Sequence, residues 1–490
     1  MKILFYYWMQ YNDKNSRGGG VQVYLRNVIE ELRNKENIQV YTLSSGTAYN
    51  LSGKCYIERL PDDRNVKRYQ VVNSPMLAPS KTSFFNQKIY TTDMQLKHVL
   101  LKFIDEIGGI DVIHFQSLEG LTLKCLEIKK DLSHVKLILS LHNYQVFCPQ
   151  VNLWKHNSMS CDNFHEGRDC LTCLGNHPGA ETFKKYYLFD YYLRKMRLEG
   201  YSRSLMNKAK TIYRLISRGK KSKSSIALGK DVIVSLANDF FNMRTQNVKM
   251  INRYVDHVLC VSNRVKQIAL DMGLSQDIVV TNYIGTKFAA KQKLTSAYSF
   301  SGKILTIAYM GYMRRDKGFF FLLDALERLP KEVSKRLAVV IAARFDDMLA
   351  VKKINELKPK FTDIRLYNGY MHNQIPEITN GVHLGIVPVL WEDNLPQVAI
   401  EFKAMGIPVL ASNRGGASEL SSSPYFIFKS NNYQDFEKKL INIIENPSVF
   451  SDYWDKQLRL KDMNSHIHEL MAFYDNTNDL RTIVCDNKVE

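Results

Sequence analysis

The sequence predicts an α/β protein built from two doubly wound, Rossmann-like domains facing a central cleft. Three observations carry this. Apolar runs of strand length alternate with segments of helical periodicity from the first residues onward. The alternation lapses over Thr286–Gly302, which is rich in Lys, Ser and Ala, and begins again at Ile304. A chain of 490 residues is too long for one core and suits two or three domains of roughly 100–200 residues.

Ile3–Tyr7 reads as a buried strand. A polar loop then ends in Gly18-Gly19-Gly20. Over Val21–Arg33, the residues Val21, Tyr24, Leu25, Val28, Ile29 and Leu32 fall at helical spacing. Further strands are expected at Ile38–Leu43, Asp111–Phe115, Val135–Leu141 and His257–Val261. The second half reads as strand Ile304–Met310, a basic loop, helix Lys317–Leu329, and strands Leu337–Ala343, Ile364–Tyr367, Val382–Val387 and Pro408–Ala411. Such alternation implies parallel sheets covered on both faces, with ligands at the carboxyl ends of the strands. The expected domains are 1–290, carrying a basic helical insertion at about 180–250, and 303–455. A C-terminal helix in 456–490 is expected to pack back on the first domain.

Composition narrows the class. Hydrophobic residues at 45% and charged residues at 24% exclude disorder as the main state. The 67 Lys and Arg against 49 Asp and Glu leave a net charge of +18, which favours an anionic partner. Nucleic acid, nucleotide phosphates and an acidic membrane surface all qualify. The N-terminal residues read as a strand rather than a signal peptide, and no apolar run reaches the ~18 residues of a membrane span. The expected place of work is the cytoplasm, including the inner face of the plasma membrane. Eight cysteines are too sparse for a disulfide scaffold.

Three loops carry chemistry. Pro388 to Pro396 follows a strand. Asn394 is expected to cap the next helix, with Pro396 in its first turn. This leaves Asp393 in the loop and Glu401, eight positions on, inside the helix. A carboxylate accepts hydrogen bonds from adjacent sugar hydroxyls, and its charge roughly doubles their strength. Gly415-Gly416-Ala417-Ser418-Glu419 follows the next strand, and small residues there let a backbone approach a ligand. Gly311 to Gly318 places Arg314, Arg315 and Lys317 at a strand end, where they could neutralise a diphosphate without a metal. Taken singly, each loop also fits a solvated turn.

Together these loops resemble the retaining glycosyltransferases of the large family 4, in the bacterial surface-polysaccharide branch, which have the GT-B architecture. The resemblance covers almost the whole chain. Gly19 and Gly20 match that family's N-terminal glycine loop. Val258-Leu259-Cys260-Val261-Ser262 matches the last strand of its first domain, and Asn282-Tyr283-Ile284-Gly285 its turn before the linker. Asp393 to Glu401 falls on its paired-acid motif. The resemblance implies that Glu401 binds ribose, that Asp393 with Asn394 and Leu395 meets the donor sugar, that Lys317 binds the donor phosphates, and that His142 orients the reacting sugar. Asp393 is one methylene shorter than the family's Glu. Tyr312 stands where the family often has Arg, leaving Arg314 or Arg315 to supply that charge. No Asp-x-Asp triplet is present, so no catalytic cofactor is expected. His114 is assigned to structure.

Cys148, Cys161, Cys170 and Cys173 make a Cys-x2-Cys half-site with two further thiols, a pattern open to a structural zinc or to reduced thiols packing a loop. His156, His165 and His177 lie nearby. Lys184–Lys223 holds 13 basic residues and two acids, Asp190 and Glu199, with tyrosines interleaved. It fits docking on anionic lipid or a solvated hairpin better than nucleic acid, for which no recognition module is visible. The combined expectation is transfer of a hexose-type sugar from a nucleotide diphosphate to a glycan or lipid-linked glycan, in capsule or lipopolysaccharide assembly. The alternatives are a nucleotide-sugar epimerase of the same architecture and, from another class, a basic scaffold or nucleic-acid-binding protein.

Overall fold

The computed structural model describes residues 1–15, 17–175, 178–198, 230–289 and 292–475. His177 and the part of the basic insertion beyond residue 198 up to residue 229 lie outside the described residues, as do 476–490 of the C-terminal segment.

The first sheet has eight strands. They are β1 (Lys2–Tyr6), β2 (Gln39–Ala48), β3 (Tyr56–Asp63), β4 (Val66–Val72), β5 (Val112–Phe115), β6 (Lys136–Leu141), β9 (His257–Cys260) and β10 (Val279–Thr281). A two-residue hairpin, β7 (Trp154–Lys155) with β8 (Met159–Ser160), sits apart. The strand order is β10-β9-β6-β5-β1-β2-β4-β3. Every pairing is parallel except β3 with β4. β1 is buried from Ile3 onward, as a strand covered by helices on both faces must be. The β3–β4 hairpin and β10 are absent from the sequence reading. β10 also displaces the Val258–Ser262 run from its expected place as last strand of the domain.

The second sheet runs β13-β12-β11-β14-β15-β16 and is wholly parallel. Its strands are β11 (Leu305–Gly311), β12 (Leu337–Ala343), β13 (Asp363–Asn368), β14 (Leu384–Val387), β15 (Val409–Ser412) and β16 (Ile427–Phe428). In chain order this is 3-2-1-4-5-6, the doubly wound pattern. Strand order reverses between β11 and β14, and ligands bind at such a switch point. In the first sheet the equivalent point lies between β1 and β5.

The helices that matter for the site are α1 (Gly19–Leu32), α2 (Ala180–Lys195), α3 (Lys230–Tyr254), α4 (Asn263–Asp271), α5 (Phe319–Arg328), α6 (Gln397–Ala404) and α7 (Met463–Tyr474). α7 belongs to the first domain's packing. Its His466 Nε2 lies 2.8 Å from Tyr24 Oη, and its Tyr474 Oη lies 2.6 Å from His114 Nδ1. One apolar cluster accordingly runs from Ile3, Leu139 and Val258 through Ala399 and Phe402 to Leu470.

The basic insertion is helical at both described edges, but its aromatic face points inward. Tyr187 stacks on Tyr49 at 6.2 Å and donates to Ala78 O, and Tyr191 reaches Glu58. Asp190 holds Arg194 at 3.1 Å, and Lys195 pairs with Glu58. Tyr187, Tyr191 and Leu193 are buried and cannot reach a bilayer. Among the described residues of the insertion, the exposed large apolar side chains are Phe189, Tyr192, Met196 and Leu198, with Val232, Ile233 and Val234 at the start of α3.

Candidate active site

The loops that leave β11 and β14 meet at the switch point. Leu390 N donates to Asp316 O at 2.9 Å, tying one loop to the other. Gly318 permits this approach. It takes a left-handed φ of 72°, and a Cβ there would lie 1.7 Å from Pro388 O. Lys317 is thereby aimed at Asp393. Its Nζ lies 2.5 Å from Oδ2 and 5.1 Å from the centre of the Trp391 ring. Arg314 forks onto Asp316, with Nε–Oδ1 at 3.0 Å and Nη2–Oδ2 at 2.5 Å, and Arg315 lies over Phe320. The three cations expected to face a diphosphate together are thus divided. Lys317 and Arg314 have internal carboxylate partners, and Tyr312 between them and β11 is 56% exposed.

Asn394 is not a helix cap. The helix starts at Gln397 with Pro396 as its capping residue. Asn394 is buried against the first domain. Its Nδ2 donates to Leu141 O at 3.4 Å, and its carbonyl accepts from Ser262 Oγ at 2.8 Å. These bonds hold the chain extended for two more residues before it can turn into a helix. Leu395 packs into the same apolar cluster. Glu401 lies one turn inside α6 and is 3% exposed, with Oε1 3.2 Å from His372 Nδ1.

Glu392, outside the eight-residue spacing, has a structural task. Its carboxylate accepts from Arg264 Nε at 2.9 Å and Nη2 at 2.7 Å, from Arg414 Nη1 at 2.7 Å and from Gly415 N at 2.9 Å. Burial pushes its pKa up, but the hydrogen bonds from the two arginines outweigh this and hold it below the usual carboxylate range. Arg264 opens α4 in the first domain, so this clasp bridges the cleft. Glu419 adds to it by accepting from the backbone N–H of Asn263 and Arg264 at 2.9 and 2.6 Å. The glycine pair serves the same closure. Gly415 and Gly416 would place a Cβ 2.0 Å from Asp393 O and 2.3 Å from Asn394 O. Their close approach is to this loop, and the turn after them, Gly416–Glu419, is a single 3-10 turn.

The first domain supplies the opposite wall. Gly19 takes a left-handed φ of 62°, and Gly20 lies opposite α6, where a Cβ would sit 3.3 Å from Gln397 Cγ. His142 follows β6. Its Nε2 lies 2.8 Å from Gln116 Oε1, and its ring is 4.9 Å from Tyr24. Burial pushes its pKa down to about 3, so it is neutral at physiological pH. Neutral imidazole can orient a substrate through one donor and one acceptor, but it holds no proton to give as a strong acid. His114 is fully buried between Tyr474 and Ser140. Glu119 is buried too, accepting from Ser80 N and Asn143 Nδ2, and burial pushes its pKa up.

Six buried polar atoms following the ends of β5, β6 and β14 have no hydrogen-bond partner among the described residues. They are Gln116 Nε2, Ser117 Oγ, Tyr144 Oη, Gln145 Oε1, Trp391 Nε1 and Asn394 Oδ1. An unpaired buried polar group costs about 1–3 kcal/mol, so a concentration of them marks a place that water or a ligand completes. The loops after β11 and β14 were legible as motifs. Gln116, Glu119, Arg264, Glu392 and His372 were not, although Gln116 and Glu119 follow an expected strand end.

The four cysteines line one small cavity beside Phe84, Trp154 and Arg244. Arg244 Nη2 lies 3.3 Å from Cys170 Sγ, and its guanidinium covers Phe164 at 3.8 Å. His165 turns to Asp169, and His156 meets Cys173 only through the backbone. Among the described residues no group of three or more His, Cys, Asp or Glu is arranged to hold a metal ion. The structure brings the thiols together without setting them as a ligand shell.

Comparison with known proteins bears on the fold. Residues 291–461 match the family model described as glycosyl transferases group 1. No curated protein matches the chain. Among solved structures, Anabaena HepE in complex with UDP and glucose is similar at 14% identity and a TM-score of 0.51, over 96% of this chain and 98% of that one. Sucrose-phosphate synthase from Thermosynechococcus elongatus is similar at 13% identity and 0.54, over 97% and 98%. The α,α-trehalose 6-phosphate synthase from Burkholderia multivorans gives 12% identity and 0.54, over 97% and 98%. The chain therefore has the GT-B fold, and its second domain carries the match to the group 1 glycosyl transferases.

Proposed function

We propose that the protein is a retaining glycosyltransferase that moves a hexose from a nucleotide diphosphate to a glycan or lipid-linked glycan during surface-polysaccharide assembly. The observation that carries this is the placement of Lys317, Asp393 and Glu401 at the switch point of the second sheet, opposite His142 and the unpaired groups of the first. In this reading Glu401 accepts from ribose hydroxyls. Asp393 and the Asn394-Leu395 backbone hold the donor sugar. Lys317 exchanges its bond to Asp393 for the departing diphosphate, where charge develops. Arg315 is a nearby cation without an internal carboxylate partner among the described residues and adds to that charge. His142 orients the sugar as a neutral imidazole. The leaving group is then neutralised by side chains, and no catalytic metal is called for.

Membrane association is part of the proposal, through different residues than the sequence suggested. Phe189, Met196, Leu198 and Val232–Val234 flank the most basic stretch of the chain, a combination that suits an anionic bilayer surface. No helix among the described residues is long and apolar enough to cross a membrane.

The test is a screen of UDP-, GDP- and dTDP-sugars for thermal stabilisation and acceptor-dependent nucleotide release. UDP-glucose comes first, because solved structures with this fold hold UDP and UDP-glucose. One donor should raise the melting temperature and be consumed only when acceptor is present. Turnover without acceptor, giving an isomerised sugar nucleotide, would favour the epimerase instead.

A further inference from the structure

Resting on this reading of Glu401 as the ribose ligand, we infer that His372 is a positioning residue that makes nucleotide affinity depend on pH. It stands in the single 3-10 turn His372–Gln374 that follows β13, with two strands between it and β14, whose loop carries Asp393. Sequence spacing gives no hint of it, because 29 positions separate it from Glu401.

The geometry is specific. Glu401 is 3% exposed, and His372 Nδ1 lies 3.2 Å from its Oε1. A carboxylate carries about four acceptor sites over two oxygens. With Oε1 turned to His372, Oε2 is left for two adjacent ribose hydroxyls. A glutamate this far inside α6 has few rotamers, and a partner at one oxygen selects among them before the ligand arrives. The His372 ring also meets Phe288, tilted, at a centroid distance of 6.1 Å. Phe288 belongs to the segment that joins the two domains. Its neighbour Lys287 is 2.5 Å from Glu30 of α1. The imidazole thus sits between the ribose carboxylate and the interdomain connection.

The ionisable surroundings are simple. Glu401 acts on His372 through a hydrogen bond and through its charge, and both raise the imidazole pKa above its ordinary value. Tyr370, on the same loop, is pushed up by burial and then by Glu401, so it stays neutral and adds no charge beside the carboxylate. Lys287 faces away, toward Glu30. A raised pKa means that His372 is charged and paired at mildly acidic pH, and that the pairing is lost as pH rises through the folded value. The charged donor holds Glu401 more tightly than the neutral ring does. Nucleotide affinity should therefore be high at pH 5.5–6 and fall toward pH 8.5.

The experiment is calorimetric titration of UDP, or of GDP where that is the nucleotide bound, into the full-length protein at pH 5.5, 7.0 and 8.5. Wild type, His372→Gln, His372→Ala and Glu401→Gln are compared. The phosphate of the probe titrates in this range in all four proteins, so the readout is the difference between wild type and variant. His372→Gln keeps a neutral donor and should bind with a flatter pH profile, approaching wild type at pH 8.5. The His372 side chain is 57% exposed, so water screens the pair, and His372→Ala should weaken binding about two- to fivefold at pH 5.5 and only slightly at pH 8.5. Its KM for donor should rise while kcat is retained. A wild-type profile in His372→Ala would overturn the inference and leave the glycosyltransferase reading standing, provided Glu401→Gln weakens binding at every pH. Failure of every nucleoside diphosphate to bind wild type would overturn both.

Discussion

Glu392→Gln tests whether the two domains are held closed by one carboxylate. The substitution keeps volume and one acceptor but replaces a charge that receives four hydrogen bonds, two of them from a single arginine fork across the cleft. A hydrogen bond to a charged group contributes about 1.5–3 kcal/mol, and breaking a buried ion pair costs about 3–5 kcal/mol. The Arg264 and Arg414 side chains are 40% and 32% exposed, so water replaces part of the loss. The net cost is then about 2–3 kcal/mol. At about 2.1 cal/mol/K of unfolding entropy per residue, a chain of 490 residues shifts by about 1 °C per kcal/mol, so the melting temperature should fall by about 2–3 °C at pH 7. The pH dependence fixes the cause. Glu392 titrates below its ordinary value in the fold, so its contribution is complete above the unfolded value of about 4.3 and is lost as pH falls through the folded one. The gap between wild type and variant, followed by scanning calorimetry, should hold from pH 8 to about pH 5.5 and close only at lower pH. Arg264→Gln alone and combined with Glu392→Gln completes a cycle, and the two losses should be strongly non-additive. A Glu392→Gln protein that melts within about 1 °C of wild type, or a cycle that adds, would refute the clasp.

Two further outcomes are expected. Lys317→Ala and Glu401→Gln should each lower kcat/KM for donor by about two to three orders of magnitude with the circular dichroism spectrum retained, and Lys317→Ala should also melt lower because it strands Asp393; unchanged kinetics in either would remove that residue from the site. Replacing Phe189, Met196 and Leu198 with Ser should end co-sedimentation with anionic vesicles at low salt and leave turnover of a soluble acceptor unchanged. Persistent sedimentation would clear this face of the role.

Much of this molecule is written in its periodicity. β1, β2, β11, β12 and β15 follow from apolar runs bounded by polar loops, and the switch-point loops follow from where those runs stop. The β3–β4 hairpin does not, because its alternation is half polar and its pairing partner, β2, is set by the sheet rather than by neighbours in sequence. Asn394 reads as a cap because Asn before Pro and an apolar run is the usual signature. Ser262 and the Leu141 carbonyl, more than a hundred residues away, decide otherwise. Tyr187 and Tyr191 read as an interfacial stripe for the same reason. Their spacing is visible in sequence, while Tyr49, Ala78 and Glu58, which bury them, are not. His372 and Glu392 show the limit most plainly, since their partners lie on a separate helix and in the other domain.

The contacts of α7 bear on how the protein is made. Tyr24 and His466 are 442 positions apart, and His114 and Tyr474 are 360 apart, yet all four belong to the core of the first domain. At roughly 5–20 residues per second, a ribosome needs on the order of 20–90 s to pass from one of the more distant partners to the other. During that interval the first sheet can pair, but α1 and the β5–β6 layer keep an uncovered seam. The second domain, whose contacts are mostly local to it, can finish while the first still waits. Nascent chains should therefore keep protease-sensitive sites in the first half until α7 has emerged, and the uncovered seam is where a chaperone would be engaged.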